Sequence, residues 1–347
     1  MSAPDARSFL DGLDDESREL LLAVATPISF VPGAVLVRHG EPARGAYILR
    51  EGSVDAVVTL PGGESLTVAT LGAGSIFGEM ALVELGTCTA TVRATTPVDG
   101  WFIAHEEFRA LVSRAHPAAL RLQHAVTVVL AEKLAALNTW MLSCPAPEDR
   151  PARGAPAAMP LAAVSRTRKA AFAAAGFLPR LAIFERCSPA EVDELVAGAS
   201  YLEVPRGHGV FAAGSPAGAA FVVVRGAVEI VSMRAGRERR VAIVGPGHLV
   251  GYLSVLRRAN HTTHGFAREG STLLEIPAAT FHQLYFGNSR ASMRLRQSVQ
   301  ANLLVSMART NRALARLLSQ AKLAAAPQAG ASLEAAYHSQ LATASPL

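Results

Sequence analysis

Apolar and polar residues alternate with period two over short runs in two separate stretches of the chain, and each stretch ends in a long run of helical period. In the first stretch Ala34–Val37, Ala46–Arg50, Val54–Leu60, Ser65–Thr70, Ala90–Thr95 and Gly100–Ile103 read as strands. Gly and Pro turns separate them at roughly eight- to twelve-residue intervals, the spacing of a β-barrel or jelly roll. A short helix is predicted before each stretch, over Asp5–Ala23 and over Pro189–Ala197, and Asp14-Asp15-Glu16-Ser17 has the acidic, polar character of a helix start. Helical period takes over at Glu106–Met141 and at Ala278–Ser319. The pattern predicts an α+β, mainly β chain: two tandem jelly-roll β-rolls, each flanked by helices, with long C-terminal helices.

The two stretches are copies of one another. Gly33, Gly40 and Gly52 recur as Gly207, Gly214 and Gly226, an offset of 174. Gly74, Gly78, Ile103, Phe108 and Leu111 recur as Gly247, Gly251, Ile276, Phe281 and Leu284, an offset of 173, so one deletion separates the copies. The expected organisation is a first domain over residues 1–142, an Ala/Pro-rich linker over 143–176, a second domain over 177–320 and a disordered tail over 321–347. The linker carries Pro145, Pro147, Pro151, Pro156 and Pro160 and the basic run Arg166-Thr-Arg-Lys169, which reads as a solvated charge run.

Composition narrows the function. Half of the 347 residues are apolar and 18% are charged, which excludes wholesale disorder, and the net charge of +5 does not mark a nucleic-acid binder. Three scattered cysteines, Cys88, Cys144 and Cys187, fit neither a disulfide framework nor an iron–sulfur or four-thiolate metal site. No stretch of about 18 uninterrupted apolar residues predicts a membrane span, and the polar, acidic start Met1-Ser2-Ala3-Pro4-Asp5 does not read as a signal peptide. A cytoplasmic protein is expected. His261 and His264 form the one close His pair and no third ligand stands near them. No Gly-x-Ser-x-Gly elbow, Walker loop or His-Glu-x-x-His helix is present either, so no enzyme, catalytic residue, metal or cofactor is predicted.

The informative segment is Phe77-Gly78-Glu79-Met80-Ala81-Leu82, followed by Gly86-Thr87-Cys88-Thr89-Ala90-Thr91-Val92-Arg93-Ala94. A glycine that ends a strand, a carboxylate, and then a helical turn presenting backbone N–H groups make a pocket suited to a sugar phosphate. This segment resembles the phosphate-binding cassette of the cyclic-nucleotide-binding domain family. Pro32-Gly33, Gly40-Glu41-Pro42 and Tyr47-Ile48-Leu49 through Gly52 match that family's upstream turns. Pro205, Gly207, Gly214-Ser215-Pro216, Phe221 and Gly226 match them in the second copy. The resemblance implies that Glu79 holds a ribose hydroxyl and that the backbone at Gly78, Met80 and Ala81 meets a cyclic phosphate, with Cys88 and Thr89 beside it; the ligand would be cAMP or cGMP. Where the family has a phosphate-binding Arg this chain has Cys88, and a neutral thiol forgoes a charge-assisted contact of about 1.5–3 kcal/mol. In the second copy Glu79, Ala81 and Cys88 become Tyr252, Ser254 and His261, while Arg257 and Arg258 lie nearby at the wrong spacing, so that copy reads as structural.

Val299, Leu303, Met307, Thr310, Leu314 and Leu317 make a stripe on the last helix, at a spacing close to a coiled-coil seam. In relatives of the catabolite-activator type this helix makes a homodimer. Those relatives place a helix–turn–helix after it; here a short Ala/Gln/Ser-rich stretch follows, so DNA reading is not expected, although Arg290 to the end carries seven basic residues against Glu334. Kinase regulatory subunits share the tandem architecture but place an inhibitor segment ahead of both domains. The similar-looking Arg239-Arg240-Val241-Ala242 lies instead in a strand pattern. Two functions are expected. The first is a non-catalytic sensor that binds a cyclic nucleotide in the first domain and signals through helix rearrangement to a dimer or protein partner. The alternative is a ligand-free scaffold or adaptor.

Overall fold

The computed structural model describes residues 8–59, 65–113, 116–143, 150–151, 166–167, 174–234 and 237–324. They fall into two compact units, one drawn from Met1–Leu130 and Asn311–Leu347 and the other from Ala131–Thr310. Helix α4 (Pro117–Ser143) runs through residue 142, where the sequence places a domain boundary.

The first unit opens with α1 (Asp15–Ala23). The sequence predicts this helix from Asp5, but it starts at Asp15 because Asp14 is extended and caps it: the Asp14 carboxylate accepts the Ser17 N–H at 3.0 Å and the Ser17 hydroxyl at 2.7 Å. Arg121 of α4 donates to Asp14 Oδ2 at 3.0 Å and to Glu16 at 2.7 Å, tying α1 to α4. The roll follows as β1 (Thr26–Phe30), β2 (Val35–Val37), β3 (Gly45–Glu51), β4 (Val54–Thr59), β5 (Ser65–Leu71), β6 (Ile76–Phe77), α2 (Met80–Val83), β7 (Thr91–Ala94) and β8 (Val98–Ala104). Two antiparallel sheets, ordered β1-β8-β3-β6 and β2-β7-β4-β5, face each other. Leu49, Val54, Phe77, Val92, Ala94 and Val98 fill the space between them. Each of these Leu, Val and Phe side chains contributes about 1.5–3 kcal/mol by leaving water, and the Ala94 methyl about 0.8 kcal/mol. The helical run predicted over Glu106–Met141 is two helices, α3 (His105–Ser113) and α4, with Pro117 opening the second.

The second unit repeats the plan. It comprises α5 (Ala174–Phe177), a 3₁₀ turn at Leu178–Arg180, α6 (Pro189–Val196), β11 (Ser200–Val204), β12 (Gly209–Phe211), β13 (Ala219–Arg225), β14 (Val228–Arg234), β15 (Arg237–Val244), β16 (Leu249–Val250), α7 (Tyr252–Leu256), β17 (His264–Ala267), β18 (Ser271–Pro277), α8 (Ala278–Phe286) and the part of α9 (Arg290–Ala324) up to Thr310. Ser188 and Glu191 form a capping box at the start of α6. Strand β13 is buried along nearly its whole length, because one face meets the core and α7 and α8 pack on it. The core holds Leu202, Val204, Phe221, Val223, Val228 and Leu273.

Two short strands lie within the stretch read as a linker. β9 (Arg150–Pro151) pairs with Arg237 and Glu238 at the edge of the β12-β17-β14-β15 sheet, and β10 (Arg166–Thr167) pairs with Leu202 and Tyr201 of β11. Arg166 and Thr167 therefore form a sheet-edge strand, since an open edge offers unpaired N–H and C=O groups to any extended segment nearby. Arg239 and Arg240 lie in β15, as the strand pattern predicts. The tail beyond residue 324 lies outside the described residues, and no described helix is long and apolar enough to cross a membrane.

Candidate functional site

In the first roll β6 delivers the chain to Gly78, whose φ is 74°. A Cβ there would lie 2.7 Å from the Gly45 carbonyl oxygen, so the turn admits only glycine. It sends Glu79 inward, where the residue is 4% exposed. Helix α2 follows at once, with Met80 half-buried and Ala81 buried. The Ala81 N–H, expected to face a phosphate, donates to the Gly78 carbonyl at 3.0 Å, because so short a helical turn closes on its own first carbonyl.

Cys88 is held by backbone alone. Its N–H donates to the Glu41 carbonyl and its carbonyl accepts the Gly40 N–H, both at 2.8 Å. Burial pushes the thiol up from its ordinary range, and the Glu41 carboxylate adds to that, so this is a neutral, unactivated cysteine. Thr89 is exposed and the Thr91 hydroxyl accepts the His39 N–H at 3.1 Å. Arg93 is exposed on β7 opposite Asp55.

Tyr47 links the two ends of the segment. Its ring stacks on Phe77 at 5.0 Å, one residue before Gly78, and its hydroxyl donates to the Leu36 carbonyl at 3.2 Å. Burial raises its phenol, and so does the nearby Cys88. Sequence reasoning used Tyr47 only as a turn marker; the alternation that puts it on the same face as Leu49 was the available signal.

The second roll keeps the frame and changes its contents. The Gly214 N–H donates to the His261 carbonyl at 2.8 Å and the His261 N–H to the Ser215 carbonyl at 3.0 Å, the same latch at offsets of 173 and 174. Gly251 repeats the left-handed turn with φ 71°. The His261 ring, 5% exposed, stacks on Phe211 at 4.4 Å, and its Cε1 lies 3.4 Å from where a Gly251 Cβ would stand. Two rings, Phe211 and His261, thus stand where the first roll has Val37 and Cys88. Burial lowers the imidazole to about 4, which keeps it neutral. Tyr252 and Ser254 are both buried at 6%. Arg257 and Arg258 sit at the C-terminal end of α7, where Arg258 takes a left-handed φ of 51°.

Each roll also couples its cassette helix to the helix that follows the last strand. His105, the first residue of α3, donates from Nδ1 to the Ala81 carbonyl at 2.6 Å. In the second roll His282 of α8 donates from Nε2 to the Val255 carbonyl at 2.8 Å. The two histidines are not at equivalent positions, yet each fastens the same pair of helices. Among the described residues no group of three or more His, Cys, Asp or Glu side chains gathers to hold a metal.

The model of the cyclic nucleotide-binding domain matches residues 27–115 and again 201–288, together just over half of the chain. The chain belongs to the cyclic nucleotide-binding domain family. Both rolls are cyclic nucleotide-binding domains, as the repeated cassette implies, and the tandem, mainly β architecture is that family's. Among curated proteins, the chain is 34% identical over 130 residues to Glutaminase 1 of Bradyrhizobium diazoefficiens, covering 38% of this chain and 20% of that one. It is 31% identical over 105 residues to a CRP-like cAMP-activated global transcriptional regulator of Mycobacterium tuberculosis, covering 30% and 44%. The chain thus spans less than half the length of these relatives. The solved regulatory domain of Toxoplasma gondii PKA with cAMP aligns over 87% of this chain and 92% of its own, at 17% identity and a TM-score of 0.31.

Proposed function

We propose that the chain is a non-catalytic regulatory protein whose first domain binds a cyclic nucleotide of the cAMP or cGMP class and signals to a protein partner. The observation that carries this reading is Glu79, a carboxylate buried beside a glycine-only turn at the start of α2. The resemblance to the family implies a ribose hydroxyl against the carboxylate at this position. Glu79 and the turn Gly78–Ala81 would hold the ribose phosphate, with Cys88 and Thr89 at the rim. The bond from His105 to Ala81 supplies a route out, because a ligand that shifts α2 also shifts the start of α3. Free thiols at Cys88 and Cys187 suit a cytoplasmic setting.

A ligand-free scaffold is the second reading, and the neutral Cys88 at the family's Arg position favours it. Thermal unfolding with cAMP and with cGMP separates the two. At a hundred times its dissociation constant a ligand adds about 2.7 kcal/mol, and that shift is expected in wild type and absent in Glu79→Ala. Cys88→Arg is expected to tighten binding roughly ten- to a hundredfold. No shift at millimolar nucleotide in either wild type or Cys88→Arg leaves the scaffold.

A further inference from the structure

We propose that Arg44, in the turn between β2 and β3, supplies the first roll with the cation that Cys88 does not, and meets the phosphate of the bound nucleotide. The inference rests on the reading that the first domain binds a cyclic nucleotide, and it names the group of this chain that takes the anionic end of that ligand.

Backbone contacts hold Arg44 between the two arms of the cassette. On one side, residues 40–43 run along the arm that ends in Cys88. The Gly40 N–H donates to the Cys88 carbonyl, the Cys88 N–H to the Glu41 carbonyl and the Ala43 N–H to the Gly86 carbonyl, each at 2.8 Å. Pro42 pairs with Thr87 in the same ladder. On the other side, Gly45 faces the glycine-only turn, since its carbonyl oxygen is the atom that a Cβ on Gly78 would meet. The carbonyl of Arg44 itself accepts the His105 N–H at 2.9 Å. Its side chain thus starts from a fixed backbone, one residue away from contact with either arm.

The guanidinium is available for a ligand. Arg44 is exposed, and among the described residues no side-chain hydrogen bond or ion pair holds it. It lies close enough to the Tyr47 hydroxyl to act on it, and the Cys88 thiol acts on that same hydroxyl. The nearby Glu41 carboxylate is paired with Arg38 at 3.8 Å, so it does not cancel the charge of Arg44. A guanidinium stays protonated and presents a planar fork of donors that fits phosphate oxygens.

The second roll shows that the fold does not need this arginine. At the 174-residue offset Arg44 becomes Gly218, whose carbonyl accepts the Ala278 N–H at 2.8 Å, the counterpart of the bond from His105. The cation at 44 and the carboxylate at 79 occur together in the first roll. The second roll, with Gly218 and Tyr252, has neither.

Isothermal titration calorimetry of the full chain with cAMP and with cGMP tests the proposal. Arg44→Gln is expected to weaken the binding seen in wild type roughly ten- to a hundredfold. Thermal unfolding of the free variant should match wild type, because the side chain is exposed. Added salt should weaken wild type more than Arg44→Gln, since the variant has no charge–charge contact to screen. Cys88→Arg introduced into Arg44→Gln should restore at least wild-type affinity, a rescue that a residue merely shaping the turn would not permit. Binding by Arg44→Gln as tight as wild type overturns the proposal, and so does a loss that Cys88→Arg fails to restore. Both of those outcomes leave the cyclic-nucleotide reading standing. Wild type that takes up neither nucleotide at millimolar concentration sinks that reading, and this inference with it.

Discussion

A neutral imidazole at His261 is a condition of the second roll's packing. The ring is stacked on Phe211 and cut off from water, and its pKa of about 4 lies below the usual 6.5. The unfolded chain takes up the proton first as pH falls. This residue's contribution to stability is therefore complete above about pH 6.5, declines between pH 6.5 and 4, and is gone below that. A gap of that size corresponds to about 3 kcal/mol. His264, lowered by burial as well, adds to the slope with the same sign. Denaturant unfolding across this range should show the second roll weakening with acid, and His261→Phe should flatten most of the slope. An equally steep slope in that variant would place the acid sensitivity elsewhere. Cys88 shows the same physics in the first roll: burial and a neighbouring carboxylate keep it uncharged, so neither roll offers a cation at the family's phosphate-binding position.

Helices carry the consequences of such residues. The buried His105 joins α2 to α3 through the Ala81 carbonyl, and removing it leaves that acceptor without this donor. His105→Ala is expected to destabilise the first unit by about 1–3 kcal/mol. It should also separate two ligand effects in hydrogen exchange, with nucleotide still slowing exchange in residues 78–83 but no longer in 105–113. Protection that spreads to α3 as before would show that another contact couples the helices. In α9 the basic residues divide into two kinds. Arg296 is 5% exposed and donates to the Tyr285 carbonyl at 2.7 Å and the Gly287 carbonyl at 2.8 Å, capping the C-terminal end of α8. Arg309, Arg312 and Arg316 are exposed. The charge excess of the sequence thus overstates the basic surface, since one of its members is spent on the fold.

For the whole molecule, the stripe that reads as a dimer seam is already covered. Val299, Leu303, Met307, Thr310, Leu314 and Leu317 are all at most 7% exposed within one chain, and Thr310 donates to Asn138 of α4 at 3.0 Å. A second copy would find little apolar surface there. Sedimentation equilibrium is expected to return the single-chain mass of 36.3 kDa, and twice that mass would show that another face pairs the chains.

The duplication, the strand-rich rolls, the helices that close them and the cassette at Gly78–Ala81 were all legible in the sequence. Each rests on local chemistry: a glycine where φ must be positive, alternation where one face is buried, helical period where a stripe is buried. The sequence alone also determined that Cys88, Tyr252 and His261 depart from the family's charged residues. What filled the vacated positions was a matter of tertiary structure. Phe211 lies 50 residues before His261 and Asn302, which accepts the Leu249 N–H, lies 53 after it, and no periodicity relates positions so far apart. Only the closing of the sheets and the packing of α9 bring them together. The same holds for Arg166 at a sheet edge and for His105 on the Ala81 carbonyl, because an unpaired backbone group or a buried acceptor takes its partner from whatever the fold places beside it.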